Sequence, residues 1–213
     1  MASPDLIRLW RIARALQSRA ARVRGLPPLW FMTDRRRVAD PLAVAAALPR
    51  GAGVILRDYD MPAREALASD LAGLCRQRGL VFLVAGDSAL AARVGADGVH
   101  LPEWQVRGAR IPRRRFRLLT GAAHSATALH QACRAGLDAA LLSPVFATAS
   151  HPGAPHLGAV RFAGMARRAG LPIYALGGID ATSAARLRPA GAAGIAAIGA
   201  VARAAGEISA SRS

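Results

Sequence analysis

Two glycine-containing segments near the C-terminal end of the chain are suited to binding a phosphate group. The first is LGGID, in which Gly177 and Gly178 follow a short apolar run, and the second is AAIGAVARA, in which Ile198 and Gly199 end another. A glycine has no Cβ atom, so backbone N–H groups beside it can approach an anion closely. A short helix that begins near Gly199 would direct its first N–H groups to the same point. Ordinary turns are the alternative for either segment alone, and their paired occurrence favours a phosphate site.

A long loop between Leu141 and Gly158 offers further groups for binding a substrate. Its sequence, LLSPVFATASHPGAPHLG, has no helical periodicity and is rich in Pro, Gly and hydroxyl side chains. Loops of this length inside a compact domain are uncommon and are often functional. Thr148, Ser150 and His151 are its candidate substrate- and phosphate-binding residues, through hydroxyl and imidazole groups.

The composition excludes one kind of chemistry and disfavours others. The chain has no lysine, so all 29 basic Lys/Arg positions are arginine. Enzymes that form a Schiff base through a lysine ε-amine, including lysine-dependent aldolases, are therefore excluded. Cys75 and Cys133 lie far apart in segments with helical spacing, which is neither a disulfide framework nor a metal-binding pattern. Small buried side chains are the favoured interpretation of both cysteines.

Eight short apolar runs alternate with segments of helical spacing, and they predict the strands that position these groups. The runs are continuous rather than alternating, which is typical of parallel strands covered on both faces. Asp40 and Ser125 stand where helix N-caps are expected. The pattern predicts an α/β chain that folds as a single (β/α)8 TIM barrel, with an open doubly wound sheet as the alternative. The predicted strands are 29–33, 53–57, 80–84, 97–101, 116–120, 138–142, 172–176 and 193–198.

Residues 1–25 precede the first strand and predict an extra N-terminal basic amphipathic helix, with residues 26–213 forming the barrel. A Leu/Ile/Trp/Ala stripe faces one side and arginines face the other, so we expect packing through the stripe. The formal charge of +16 is found in many nucleic-acid-binding proteins, but no basic-aromatic interleaving accompanies it, so no nucleic-acid partner is expected. No apolar run reaches the roughly 18 residues that cross a bilayer. We therefore expect a cytoplasmic protein without a membrane partner, and a homo-oligomer remains compatible with the sequence.

Six motifs in order along the chain resemble those of the thiamine phosphate synthase and TenI (thiazole tautomerase) family. FMTDR resembles the family's L-[VI]-T-D, ADGVHLPE resembles A-D-G-V-H-L-G-Q, and GAAHS resembles G-x-S-x-H-[ST]. SPVFATASHPG resembles G-P-[VI]-[FY]-x-T-x-T-K, LGGID resembles I-G-G-I, and GIAAIGAV resembles G-[VI]-A-V-[IV]-S. Each motif alone is weak, but the ordered set extends from about Leu29 to Ala202 and identifies the chain as a divergent member of the family.

The resemblance implies an enzyme of thiamine biosynthesis, a transferase that couples hydroxymethylpyrimidine pyrophosphate to thiazole phosphate and releases pyrophosphate. These two small phosphorylated molecules are the implied partners, and Mg²⁺ is the implied cofactor. By the family pattern, Arg57 would hold the pyrophosphate, while Ile55 and Tyr59 replace two other polar residues. Asp87, and Glu103 if the register shifts, are the implied magnesium ligands.

Two other functions remain open at this point. The departures from the family pattern fall mostly on the pyrophosphate and metal half of the site, and Gln105 stands where the family has its second aspartate. A thiazole phosphate tautomerase needs no metal, and the resemblance makes His124 its acid/base residue. A non-catalytic regulator that binds thiazole phosphate is the second alternative. His100 is either a packed structural histidine or a member of the site.

Overall fold

The computed structural model describes residues 3–108, 113–148 and 153–206. It is a closed barrel of eight parallel strands in which each strand pairs with its neighbours in chain order and the last pairs with the first. The strands are β1 Leu29–Met32, β2 Gly53–Leu56, β3 Val81–Ala85, β4 Gly98–Leu101, β5 Leu118–Ala123, β6 Ala139–Leu142, β7 Ile173–Ala175 and β8 Gly194–Ala197. The predicted (β/α)8 barrel is confirmed.

Helices connect the strands and cover the outside of the barrel. They are α1 Pro4–Leu16, α2 Arg19–Val23, α3 Pro41–Ala47, α4 Arg64–Arg78, α5 Ser88–Arg93, α6 Glu103–Val106, α7 Ala126–Arg134, α8 Gly158–Arg168, α9 Ala181–Ala185 and α10 Gly199–Ala204, with 3-10 turns at Arg113–Arg115 and Arg188–Ala190. The predicted N-caps are confirmed, since Asp40 accepts hydrogen bonds from the N–H groups of Leu42 and Ala43, and Ser125 accepts one from Ala128. None of the described helices has the length and apolarity required to cross a membrane.

The fifth strand lies later in the chain than the sequence predicts. It runs to Ala123 instead of ending at Thr120, because Gly121 pairs with Leu101 as a strand residue. A Cβ atom at this position would lie 2.7 Å from Cδ1 of Leu137, so any larger residue would require that side chain to move. The shift matters for the site, because it brings His124 to the first position after the strand.

Two aromatic side chains fill the interior of the barrel. Trp30 and Tyr174 are fully buried and meet edge to face, with ring centroids 6.3 Å apart. The Tyr174 hydroxyl donates to the carbonyl of Pro27 over 2.6 Å, which satisfies its polar end inside the core. A larger apolar cluster between the sheet and the helices completes the core, so the barrel is a packed support for residues at its carboxyl end.

Helix α1 packs on the barrel through one face. Leu6, Leu9, Ile12 and Leu16 on this face are buried, whereas the arginines of the helix point outward, as the amphipathic pattern predicts. The helix contacts α9, α10 and β8. The Ser3 hydroxyl donates to the carbonyl of Ala204, so the first described residue is tied to the last helix.

Candidate active site

A cavity of about 600 Å³ opens at the carboxyl ends of the strands. Its walls come mainly from residues at or beyond the ends of six strands, which is where active sites of such barrels lie. The lining residues are Met32, Arg57, Tyr59, His100, Pro102, Glu103, Trp104, Arg107, Ala122, His124, Gln131, Ser143 and Leu176. A second groove, of about 660 Å³, is lined by residues of α1, α9 and the Arg188 turn and contains no candidate residue. The first cavity is therefore the candidate active site.

Two residues that directly follow β1 hold Arg57 in the wall of this cavity. Its Nη2 lies 3.0 Å from Oδ2 of Asp34, and its backbone N–H donates to Oγ1 of Thr33 over 3.0 Å. The Thr33 hydroxyl in turn donates to Asp58, which fixes the adjoining turn. The side chain is still 40 % exposed, so a positioned guanidinium faces the cavity with donors left for an anion.

His124 and Ser143 meet because β5 and β6 are neighbours whose last paired residues are Ala123 and Leu142. Nδ1 of His124 lies 2.9 Å from the carbonyl oxygen of Ser143 and 3.2 Å from its hydroxyl. A carbonyl oxygen only accepts, so Nδ1 carries the proton in this arrangement and Nε2 has the lone pair. His124 is exposed to the cavity side. The geometry is that of a histidine oriented to accept a proton at Nε2.

The predicted phosphate glycines form a tight turn against the loop that follows β6. Gly177 and Gly178 have φ angles of 91° and 63°, a region that favours glycine. Phe146 donates its N–H to the carbonyl of Gly177 over 3.0 Å. A Cβ atom on Gly178 would overlap the carbonyl oxygen of Ala147, so both the angle and the space require glycine. The turn therefore fixes where the loop after β6 lies.

The remaining predicted binding residues are placed around this turn or lie outside the described chain. Gly199 begins α10, as expected, directly after Ile198, and the ends of β7 and β8 are side by side because these strands pair. Thr148 lies in the loop that follows β6 and is partly buried. Ser150 and His151 lie outside the described residues. The structure thus brings the two glycine segments together, but none of the binding residues that it describes lines the cavity that holds Arg57 and His124.

The predicted magnesium ligands do not assemble into a metal site. Asp87 is the N-cap of α5, where its Oδ1 accepts the N–H of Leu90 over 2.8 Å. Glu103 lines the cavity, but its Oε2 accepts the backbone N–H of His124 over 2.7 Å. Among the described residues, no group of three or more His, Cys, Asp or Glu side chains could hold a metal ion. Mg²⁺ is usually held by one or two protein carboxylates together with waters and substrate phosphates. Asp87 caps a helix with one oxygen and has the other 3.9 Å from Nη1 of Arg64, and Glu103 is engaged by His124, so these two carboxylates do not fit the ion.

His100 is both packed and part of the cavity wall. It is 2 % exposed, and its Nδ1 lies 2.9 Å from Oγ1 of Thr120. Burial lowers the pKa of His100 to about 3, and the positive charge of Arg57 contributes to the same shift. The imidazole is therefore neutral at neutral pH, and it presents a hydrogen-bonding group rather than a charge.

We expect the buried histidine to make the protein less stable in mild acid. In the unfolded chain His100 regains its ordinary pKa of about 6.5. Below that pH its imidazole binds a proton in the unfolded state but not in the folded state. The free energy of unfolding should fall by up to about 1.4 kcal/mol per pH unit as the pH drops from about 6.5 toward 3. Urea unfolding between pH 4.5 and 7.5 measures this slope.

His100→Gln should remove that part of the slope, whereas His130→Gln, at an exposed position on α7, should leave it in place. Equal slopes for the His100→Gln variant and the unchanged protein would show that His100 titrates normally in the fold.

Several residues of the site were not identified from the sequence. Asp34 and Thr33 belong to the FMTDR motif, but their role in holding Arg57 appears only when β1 and β2 are paired. Ser143 begins the SPVFATASHPG motif, but its contact with His124 appears only when β5 and β6 are paired. Arg107 carried no recognisable signal. Residues distant in sequence that share one end of a barrel can be assigned only from strand order and register.

Comparisons with known proteins agree with this architecture. The family model described as "Thiamine monophosphate synthase" matches residues 29–201. The chain is 36 % identical to the thiamine-phosphate synthase of Roseiflexus sp. over 185 residues, 81 % of this chain and 77 % of that protein. It is 36 % identical to the thiamine-phosphate synthase of Thiobacillus denitrificans over 164 residues, 74 % of this chain and 78 % of that protein. The structure resembles a thiamine phosphate pyrophosphorylase from Pyrococcus furiosus with a TM-score of 0.70 and 25 % identity, covering 87 % of this chain and 95 % of that one.

Proposed function

We propose a function on one premise: this chain belongs to the thiamine monophosphate synthase family. The protein is an enzyme of thiamine biosynthesis that joins hydroxymethylpyrimidine pyrophosphate to thiazole phosphate and releases pyrophosphate. The observation that carries this assignment is the guanidinium of Arg57, held by Asp34 and directed into the cavity at the carboxyl ends of the strands. A fixed cation at that place suits a leaving group that gains negative charge.

The reaction breaks the bond between the pyrimidine methylene carbon and the pyrophosphate oxygen, and the electron pair leaves with pyrophosphate. The thiazole nitrogen then forms the new bond to that carbon. Arg57 binds and orients the pyrophosphate, because a guanidinium donates two parallel hydrogen bonds to phosphate oxygens. The turn at Gly177 and Gly178, with Gly199 beside it, binds the phosphate of the thiazole through backbone N–H groups. Thr148 in the loop after β6 is assigned to the same subsite, and Ser150 and His151 are assigned to it from the sequence pattern alone.

Enzymes of this family use Mg²⁺ in general. In this chain Asp87 caps a helix beside Arg64 and Glu103 accepts the N–H of His124, so these carboxylates do not fit Mg²⁺. No step of the reaction is assigned to a metal ion.

The assay for this proposal incubates the purified protein with both substrates and measures thiamine phosphate and pyrophosphate. We expect both products in equal amounts, above the background without enzyme, and the reaction is run once with Mg²⁺ and once with EDTA. Absence of product under both conditions, from protein whose circular dichroism shows an intact fold, would refute the synthase assignment.

A second candidate, thiazole phosphate tautomerase, is supported by the oriented His124. Its Nδ1 contact with the Ser143 carbonyl leaves Nε2 as a base, which is the group that a proton transfer on the thiazole ring requires. If this reaction occurs, His124→Gln should slow it about 10²- to 10³-fold. His130→Gln, an exposed histidine on α7, is the matched control and should leave the rate unchanged. Isomerisation monitored by NMR of the thiazole phosphate separates the two candidates.

A further inference from the structure

Arg64, the first residue of α4, places its guanidinium at the carboxyl end of β3. The side chain is only 13 % exposed, and its Nη2 donates to the carbonyl of Ala85 over 2.5 Å. Its Nη1 lies 3.9 Å from Oδ2 of Asp87. A permanent cation therefore already stands beside the carboxylate that the family resemblance implies as a metal ligand.

The ring of Tyr59 packs against this guanidinium, and Gln105 lies at the end of the same strand. The Cζ atom of Arg64 lies 5.6 Å from the centroid of the Tyr59 ring, a cation–π contact. Gln105 donates from Nε2 to the carbonyl of Gly86 over 3.2 Å. A Cβ atom on Gly86 would lie 3.0 Å from the Tyr59 ring, so this ring packs against the backbone of Gly86. Tyr59, Gln105 and Arg64 thus cover the corner formed by the ends of β2, β3 and β4.

Arg57 lines the cavity, whereas Arg64 lies behind the ring of Tyr59 and acts on the cavity through its charge. Burial raises the pKa of the Tyr59 hydroxyl, whereas the charges of Arg57 and Arg64 act on it in the opposite direction. Tyr59 lines the cavity together with Arg57, and its ring contacts the guanidinium of Arg64. Nε of Arg64 is buried and has no hydrogen-bond partner among the described residues, so internal hydrogen bonding does not fully account for the placement of this side chain.

We propose that Arg64 is a fixed internal cation that replaces a divalent metal at the ends of β2 and β3, so that the chain holds the pyrophosphate of its substrate with arginine charge alone. This inference rests on the proposed synthase function. When the carbon–oxygen bond breaks, the electron pair and the negative charge stay on pyrophosphate, and Arg57 and Arg64 balance that charge. The guanidinium remains protonated throughout, so Arg64 supplies charge and transfers no proton.

The first test is the metal dependence of product formation by the metal-stripped protein. We expect the rate to be the same within about twofold in EDTA and in millimolar Mg²⁺. Arg64→Met should lower the rate about 10²-fold, the loss typical of removing one charge-stabilising donor, and Arg64→Lys should retain part of it. Arg78→Met, at an exposed position at the other end of α4, should have no effect. Activity that is lost in EDTA and restored by Mg²⁺ in the unchanged protein would overturn the inference.

The second test uses binding alone and remains decisive if neither substrate is turned over. Isothermal titration of the metal-free protein with inorganic pyrophosphate should show binding that is at least tenfold weaker in Arg64→Met than in the unchanged protein or in Arg78→Met. Titration with Mn²⁺ alone should show no binding by the unchanged protein below about 1 mM. Equal pyrophosphate affinity in all three proteins, or tight binding of one Mn²⁺, would refute the role of Arg64 whatever the synthase assay shows.

Discussion

Gly178→Ala is expected to destabilise the protein by about 2 to 4 kcal/mol and to weaken thiazole phosphate binding at least tenfold. The φ angle of 63° is unfavourable for alanine, and the new Cβ atom would overlap the carbonyl oxygen of Ala147. The loop after β6 must then move, and the backbone N–H groups of the turn lose their positions. Urea unfolding gives the stability, and calorimetric titration with thiazole phosphate gives the affinity.

Gly164→Ala is the matched control for this change. Gly164 lies within α8, and a methyl group added to it would have no neighbouring atom within 4 Å, so alanine there should be neutral or stabilising by about 0.5 to 1 kcal/mol. If Gly178→Ala were as stable as Gly164→Ala and bound thiazole phosphate as well, the close approach of the two loops would be refuted.

Arg57→Ala is expected to lower the rate of pyrophosphate release about 10²- to 10³-fold, with little change in stability. The side chain is 40 % exposed and shares Asp34 with Arg37, whose Nε lies 2.9 Å from the same carboxylate oxygen. Removing Arg57 therefore leaves Asp34 paired, and the fold should persist. Steady-state kinetics should show the loss mainly in kcat/KM for the pyrimidine pyrophosphate.

Arg36→Ala removes the same charge from an exposed neighbouring position that does not line the cavity. We expect it to keep nearly full activity. Equal losses in the two variants would mean that general positive potential, and not a positioned guanidinium, accounts for the effect.

The architecture could be predicted from the sequence because parallel strands buried on both faces read as continuous apolar runs. The one clear shift is in β5, where the predicted strand ends at Thr120, directly before Gly121, and the observed strand continues through it. The small size of Gly121 serves close packing inside the strand, against Leu137. A glycine alone does not distinguish the end of a strand from close packing within it.

The site was predicted less completely, because a residue type does not reveal its partners. Asp87 was correctly located after a strand, but whether such a carboxylate is free or caps a helix depends on where the next helix begins, here at Ser88. Arg64 lies eight residues beyond the end of β2 in a helical segment, and only the tertiary structure directs it to Ala85. Arg57 and His124 were found because they stand in motifs that resemble those of the family, and the structure places both at strand ends.

Two of the three tryptophans lie in opposite environments and give the protein two distinct intrinsic fluorophores. Trp104 is 78 % exposed on the rim of the cavity, whereas Trp30 is fully buried in the barrel interior against Tyr174. The exposed indole emits at longer wavelength and is reached by iodide, while the buried one emits at shorter wavelength and is protected until the barrel opens. Occupancy of the cavity and loss of the fold are therefore reported at different wavelengths by the unlabelled chain.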